Sequence, residues 1–492
     1  MPLPCQTVGM AAVSVAEMRR IEADAMRAGV SEAQLMNMAG VALGRAMGLM
    51  FPEVGRAVAF LGKGHNAGDA LIALRVLRDE FGWETGVRAA FPQEEWAELT
   101  LAQWDEGLEM EDRGGNLLLI DGLLGIGAKG VPRGRIVELI GEMNGLRATK
   151  GARVAAVDVP SGVDPDTGEI YEGAVRADVT FMIGAAKVGL LLGTATNAVG
   201  AISLVEVDGL AGGEGEMELI APQVMGFGKA PRDFDFHKGK AGRVAILAGS
   251  PQFTGAAIIS ALGAVRAGAG LVTLHAPTAA CEAIRSRLPL EAMLKACDDP
   301  RELLSGKWDA LVVGPGLGEM EGDFADGLVE LISSAKVPVV VDADALNLLA
   351  KRGVKAGSGC VLTPHPGEFA RLAPGLSGKS REEAVREFLE GSEAVLLLKG
   401  ARTIVGKKGE ALRINSTGTP AMSNGGQGDL LSGVIGALLG GGMEGFDAAA
   451  LGAWVCGRAG EISETEMGSP ATAGDVAVYL GLALNDWCVS SR

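Results

Sequence analysis

Short apolar runs recur along this chain, and each ends in a turn of glycine or polar residues. They include Ala57–Leu61, Leu117–Ile120 and Val154–Val157 in the first half, and Arg243–Ala248, Leu271–Leu274, Ala310–Val313, Val337–Val341 and Ala394–Leu398 in the second. Runs this short and this continuously apolar fit strands buried on both faces, and such strands occur in parallel sheets covered by helices. Helical patterns lie between them. Ser14–Glu17 and Ser31–Gln34 read as capping boxes that open helices ending near Gly29 and Gly48. Ala256–Ala269 and Leu430–Leu439 have helical spacing. Repeated βα units of this kind define an α/β chain of three-layer α/β/α architecture, and ligands in such folds gather at the carboxyl ends of the strands.

With 492 residues the chain has room for roughly three ordinary domains, or two large α/β ones. Strand–helix alternation gives way to Gly, Pro and charge near residue 210, so the expected division is a domain over 1–210, a linker over 211–236 and a domain over 237–492. A net charge of −17 argues against nucleic acid or an anionic membrane as partner. The six cysteines, Cys5, Cys281, Cys297, Cys360, Cys456 and Cys488, are scattered without a CxxC pair and read as reduced thiols. No basic segment followed by an apolar one opens the chain, and the longest uncharged stretch, Val188–Val205, is broken by Gly, Thr and Asn. A cytoplasmic protein with no membrane span is expected.

In the first half, three strand ends carry polar groups. GKGHNAGDA (62–70) follows one strand, DGLLGIGAKG (121–130) a second and DVPSGVDPDTG (158–168) a third. A parallel sheet would bring Asn66, Asp121, Asp158 and Ser161 to one edge. Asn66, Asp121 and Ser161 offer hard oxygen atoms, a set suited to an alkali or alkaline-earth cation rather than zinc. The alternative is that they are turn and cap residues.

In the second half, the longest glycine-rich segment is NSTGTPAMSNGGQGDLLSG (415–433), between a strand at 410–414 and the helix of Leu430–Leu439. The four glycines of the loop before that helix, Gly418, Gly425, Gly426 and Gly428, permit positive φ and close approach of backbone N–H groups to a phosphate. Asp429 at the helix mouth can be an N-cap or a base on a substrate hydroxyl. Lys399 can counter phosphate charge, and His365 is held stiffly between two prolines. Asp342 and Asp344 are read chiefly as helix caps, with a water-mediated place at Mg²⁺ as the alternative.

The motifs GKGHNAGDA, DGLLGIGAKG, VDVPSGVDPDTG and ADVTFMIGAAKVGLLLG resemble, in that order, the NAD(P)H-hydrate epimerase domain. HKGKAGRVAILAGS, TGAAIISALGAVRAGAGLV, GPGLG, DADALN, TPHPGEF, LKGART and NGGQGDLLSG resemble the NAD(P)H-hydrate dehydratase domain of the ribokinase-like superfamily. The resemblance implies a Rossmann-like domain followed by a ribokinase-like domain, as in the bacterial fusion of epimerase and ADP-dependent dehydratase. It implies that R and S epimers of hydrated NADH and NADPH are interconverted, and that the S epimer is dehydrated at the expense of ADP, giving AMP and phosphate.

Carried over by motif, Asn66, Asp121 and Ser161 would hold K⁺. His65, Asn66, Ala67, Gly68, Asp69, Gly125, Ile126, Gly127, Ala128, Lys129, Gly130, Val131 and Asp158 would contact the hydrated dinucleotide, with Asp158 in proton chemistry. In the second half, Lys399, Gly400, Ala401, Arg402 and Thr403 would bind ADP, together with Asn424, Gly425, Gly426, Gln427 and Gly428. Ala257, Gly316, His365 and Asp429 would face the substrate, with Asp429 as catalytic base, Mg²⁺ as cofactor and a homo-oligomeric assembly. Where the family has Asn-Asn-Gly-Gly-Asp-Gly, this chain has His65–Ala70, so Ala67 sets a Cβ where glycine can take positive φ. Asn424 and Gln427 stand where the family often has Thr. The alternatives are a dehydratase with a non-catalytic N-terminal binding module, and a ribokinase-like small-molecule kinase.

Overall fold

The computed structural model describes residues 11–108, 115–210, 213, 215–222, 234–235 and 237–490. It divides into two compact units, one ending at Leu219 and one beginning at Ile220. Cys5 and most of residues 211–236 lie outside the described residues. Among the described residues no helix is long and apolar enough to cross a membrane.

The first unit is built on six parallel strands: β1 (Gly55–Leu61), β2 (Glu84–Ala89), β3 (Asn116–Gly122), β4 (Arg153–Val157), β5 (Val179–Ile183) and β6 (Ala201–Val205), in the order β2-β1-β3-β4-β5-β6. Side chains of a strand alternate between faces. Thus Ala57, Ala59 and Leu61 join one apolar cluster with Leu118 and Ile120, while Val58 and Phe60 join another with Leu119. Two clusters on opposite faces of one sheet make the three layers. The helices Glu32–Met50 and His65–Phe81 cover one face, and they approach closely at Gly44, where a Cβ would come within 2.6 Å of Val76 Cβ.

Ser31 and Gln34 complete their capping box; Ser14 accepts from Glu17 N–H, while the Glu17 carboxylate turns to Arg20. Strand order reverses between β1 and β3, the switch point at which α/β sheets open a crevice. The chain passes from the first unit to the second within β7 (Met217–Ile220).

In the second unit β8 (Arg243–Leu247), β9 (Leu271–Ala276), β10 (Ala292–Ala296), β11 (Ala310–Val313), β12 (Val339–Val341), β13 (Cys360–Leu362) and β14 (Val395–Leu398) run parallel in the order β10-β9-β8-β11-β12-β13-β14. Strands β15 (Ile404–Gly406) and β16 (Leu412–Asn415) continue the sheet antiparallel. Its switch point lies between β8 and β11. The helices Thr254–Arg266 and Gln427–Gly440 pack so closely that a Cβ on Gly433 would sit 1.9 Å from the Ser260 carbonyl oxygen. That contact fixes the residues at the mouth of Gln427–Gly440.

Candidate active sites

In the first unit a cavity of about 600 Å³ opens at the carboxyl edge of the sheet. Asp121, near the end of β3, is fully buried. Its carboxylate accepts from Ser161 N–H (2.7 Å), Ser161 Oγ (2.7 Å) and Leu123 N–H (3.2 Å). Burial pushes its pKa up to about 6, against the opposing pull of those donors. Ser161 Oγ accepts in turn from Leu124 N–H, and Asn66 Nδ2 donates to the Leu124 carbonyl at 3.0 Å. Asn66, Asp121 and Ser161 are therefore tied to one turn.

Asp158 follows β4 with φ of 63°, a left-handed conformation rare for a residue with a Cβ. Its Oδ1 accepts from Ile183 N–H at 2.8 Å and from Lys187 Nζ. Lys187 is wholly buried and also donates to the Ile183 carbonyl at 2.8 Å. Asp69 lines the same cavity, and its Oδ1 is buried with no hydrogen-bond partner among the described residues.

His65, Asn66, Asp69, Gly125, Ile126, Gly127, Ala128 and Asp158 all line this cavity. Ala67 and Gly68 do not: the segment His65–Ala70 is the first turn of a helix, so Ala67 turns into the core and Gly68 packs on Met36. The Ala67 Cβ needs no positive φ, since a helical residue carries it without strain. Lys129, Gly130 and Val131 are exposed and lie off the cavity wall, because the turn closed by Ala128 N–H to the Gly125 carbonyl carries the chain outward. Arg19, Glu22 and Lys187 line the cavity and were not singled out in the sequence. The available signal was Met18, Glu22 and Met26, four residues apart on one helix: a carboxyl within an apolar stripe.

In the second unit the Lys399 backbone N–H bonds the Pro364 carbonyl at 2.9 Å, joining the ends of β13 and β14. Lys399 Nζ donates to Asp342 Oδ1 at 2.8 Å and lies 3.8 Å from Glu368 Oε2. Asp342 also accepts from Ser432 Oγ. It stands at the N-cap position of Ala343–Arg352 yet makes no side-chain cap bond. Capping, the role read from sequence, is thus replaced by a bond to Lys399. Asp344 accepts from Gly318 N–H at 2.7 Å and so braces the GPGLG turn.

Asp429 sits in the first turn of Gln427–Gly440, after Gly426 with φ of 93°. Its pKa is raised to about 7, by burial first and by the charge of Asp342 next, with Lys399 opposing. Of the four loop glycines, Gly418 and Gly426 take positive φ. His365 caps Pro366–Leu372, its Nδ1 accepting from Gly367 N–H at 2.9 Å, which leaves Nε2 to carry the proton in the neutral ring. Gly316 has φ of 63° and packs against the Phe253 carbonyl, at the mouth of the helix that holds buried Ala257.

The residues carried over for ADP divide. Gly400 and Ala401 are exposed, whereas Thr403 is buried and closes on Gly400. Arg402 is also buried, with its pKa lowered to about 10 by burial, and therefore stands inward rather than as an exposed phosphate clamp. Asn424 Nδ2 and Gln427 Nε2 both donate to the Ala471 carbonyl, at 2.8 and 2.9 Å, so these amides brace the loop. Gly425, Gly426 and Gly428 complete the turn beside Lys399, whose Nζ would lie 3.0 Å from a Cβ on Gly428.

Residues 32–189 match the family described as YjeF-related protein N-terminus, and residues 244–479 match NAD(P)H-hydrate dehydratase. The bifunctional NAD(P)H-hydrate repair enzyme Nnr of Pyrobaculum aerophilum is 34% identical over 510 aligned positions, covering 98% of this chain and 100% of the relative. The chain belongs to the bifunctional NAD(P)H-hydrate repair enzymes. The Escherichia coli member is 32% identical, covering 90% of this chain and 87% of its own length. A ribokinase-like superfamily protein of Enterococcus faecalis superposes with a TM-score of 0.50 at 22% identity, over 55% of this chain and 96% of that structure, which fixes the fold of the second unit.

Proposed function

We propose that the second unit dehydrates the S epimer of hydrated NADH or NADPH at the expense of ADP, releasing AMP and phosphate, and that the first unit interconverts the epimers. Asp429 carries this reading: a half-buried carboxyl at a helix mouth, with a pKa near 7, beside Lys399 and a glycine turn. Hydroxide leaves poorly, so the C6 hydroxyl must first be made a leaving group. Asp429 takes the hydroxyl proton as that oxygen attacks the β-phosphorus of ADP, and AMP departs. Backbone N–H groups at the helix mouth stabilise charge on the transferred phosphoryl. Loss of phosphate from C6 and of a proton from C5 restores the ring double bond.

Mg²⁺ arriving with ADP would neutralise phosphate charge. Asp342 and Asp344 are already bonded to Lys399, Ser432 and Gly318, so they suit the ion through intervening water. Asn66, Asp121 and Ser161 fit K⁺, being oxygen donors throughout, with Asp121 a buried carboxyl that has no basic partner among the described residues. The buried free thiols of Cys281, Cys297, Cys360 and Cys456 suit a reducing cytoplasm. A homo-oligomer in solution completes the proposal.

Absorbance recovery at the reduced-nicotinamide band tests the reading, starting from an epimeric mixture of hydrated NADH with Mg²⁺, K⁺ and ADP or ATP. Full recovery, faster than spontaneous epimerisation and favoured by ADP, is expected. Recovery that stalls once the S epimer is consumed would make the first unit a binding module. No recovery with either nucleotide would overturn the dehydratase.

A further inference from the structure

Four carboxyl groups line the cavity of the first unit, Glu22, Glu32, Asp69 and Asp158; Glu32 is exposed, and the surroundings of the other three differ. Asp158 is bonded to the Lys187 ammonium and to Ile183 N–H. Asp69 stands on the wall with a buried Oδ1 that no donor reaches among the described residues. An anion there would lack the hydrogen bonds that stabilise it, whereas a neutral carboxyl keeps its proton at little cost. Burial accordingly lifts the Asp69 pKa well above the ordinary carboxylate value, and the charges of Asp158 and Glu22 lift it further, with Lys187 opposing. Glu22 is raised as well, chiefly by burial. A carboxyl without a hydrogen-bond donor and one bonded to an ammonium, facing one cavity, are equipped for opposite roles in proton transfer.

One route that inverts C6 of the hydrate breaks its C–O bond and re-forms it on the other face of the ring. The ring nitrogen beside C6 can expel the oxygen only if that oxygen leaves as water, so a proton donor must stand next to it. Resting on the proposed epimerase reading, we propose that Asp69 is the acid that protonates the C6 hydroxyl, with Asp158 as the base that receives the proton of the incoming water. The Asp69 proton passes to the C6 oxygen, and the C6–O pair leaves with it as water. The nitrogen lone pair forms the C6=N bond. Water then attacks the opposite face, the C6=N pair returns to nitrogen, and Asp158 takes the released proton. Proton exchange between the two carboxyls resets the site, and water is the only co-reactant.

The test follows consumption of purified R epimer by the full chain, coupled to its own dehydratase, with dehydration of pure S epimer as the control. In Asp69→Asn, R-epimer conversion should fall about 100-fold or more while S-epimer dehydration is unchanged. The wild-type epimerisation rate should fall as pH rises through the Asp69 titration, and that limb should vanish in Asp69→Asn. The other groups on the cavity wall are Glu22, Glu32, Asp158, Lys187, Arg19, Lys63 and His65, and they remain in the variant. Asp69→Glu, which keeps a carboxyl, should restore part of the rate.

Asp69→Asn within about threefold of wild type would overturn the acid, as would a slow variant that keeps the pH limb. Wild type that never converts the R epimer would overturn the epimerase reading and this inference with it. Loss in Asp69→Asn, with the pH limb gone and part of the rate back in Asp69→Glu, supports both.

Discussion

Each unit sets a lysine–aspartate pair at the carboxyl edge of a parallel sheet, beside a second carboxyl whose pKa is raised: Lys187–Asp158 with Asp69, and Lys399–Asp342 with Asp429. The lysines differ in freedom. The Lys187 side chain has 0% exposure and divides its protons between Asp158 and the Ile183 carbonyl. Lys399 keeps 19% exposure; burial pulls its pKa down, but Asp342, Glu368 and Asp429 together hold it above the ordinary value. A fully enclosed lysine can only fix the charge of its cavity. One with surface left can trade Asp342 for an incoming phosphate, as the proposed ADP site requires.

Asp429→Asn should lower dehydration of the S epimer by about 10²–10⁴-fold while ADP affinity stays within a few-fold, as read by absorbance recovery and calorimetric titration. Near-normal turnover would remove Asp429 from proton transfer. The lysines should separate next. Lys187→Met leaves the buried Asp158 carboxylate without its ammonium partner, with the Ile183 N–H bond remaining, and should destabilise the first unit by about 3–5 kcal/mol in urea unfolding. Lys399→Met likewise leaves Asp342 with one hydrogen bond, from Ser432, but it removes a side chain that is already partly solvated; it should cost less stability and should instead weaken ADP binding. Equal stability losses with unchanged ADP affinity would erase the distinction.

What the sequence made legible follows the same division. The strands were readable because continuous apolar runs of this length have few other uses, and a parallel ladder then dictates that Asn66, Asp121, Asp158 and Ser161 share an edge. Lys187 was not readable as a partner of Asp158: its place depends on the pairing of β4 with β5 and on the turn after Ile183. Glu22 and Arg19 come from a helix whose position is set by burial of Met18, Ile21 and Ala25, a tertiary fact that helical spacing alone does not supply. Asp342 was read as a cap because Asp before a helix usually is one. Lys399, 57 positions later, outcompetes the helix N–H groups for its oxygens. Asn424 and Gln427 were read as nucleotide donors, yet Ala471 takes their protons across a fold that no local pattern encodes.

The pH dependence of the two reactions should run in opposite senses. Asp429 acts as a base only when ionised and its pKa is about 7, so dehydration should rise with pH through about 7 and fall about tenfold per unit well below it. Epimerisation, with Asp69 as acid, should decline as pH rises. Parallel profiles for the two epimers would show one shared titration and sink the comparison.

Ser432 Oγ donates to Asp342, which raises the Asp429 pKa by its charge. In Ser432→Ala the Asp342 carboxylate keeps Lys399 but loses one hydrogen bond, so its charge is less compensated where Asp429 feels it. The dehydration midpoint should therefore move upward by a fraction of a pH unit, with the rate above the midpoint little changed. The epimerisation profile should stay where it was, since Ser432 is not among the residues that line the first unit's cavity. A midpoint that stays fixed would mean that Asp342 does not set the Asp429 titration, and that Lys399 alone balances its burial.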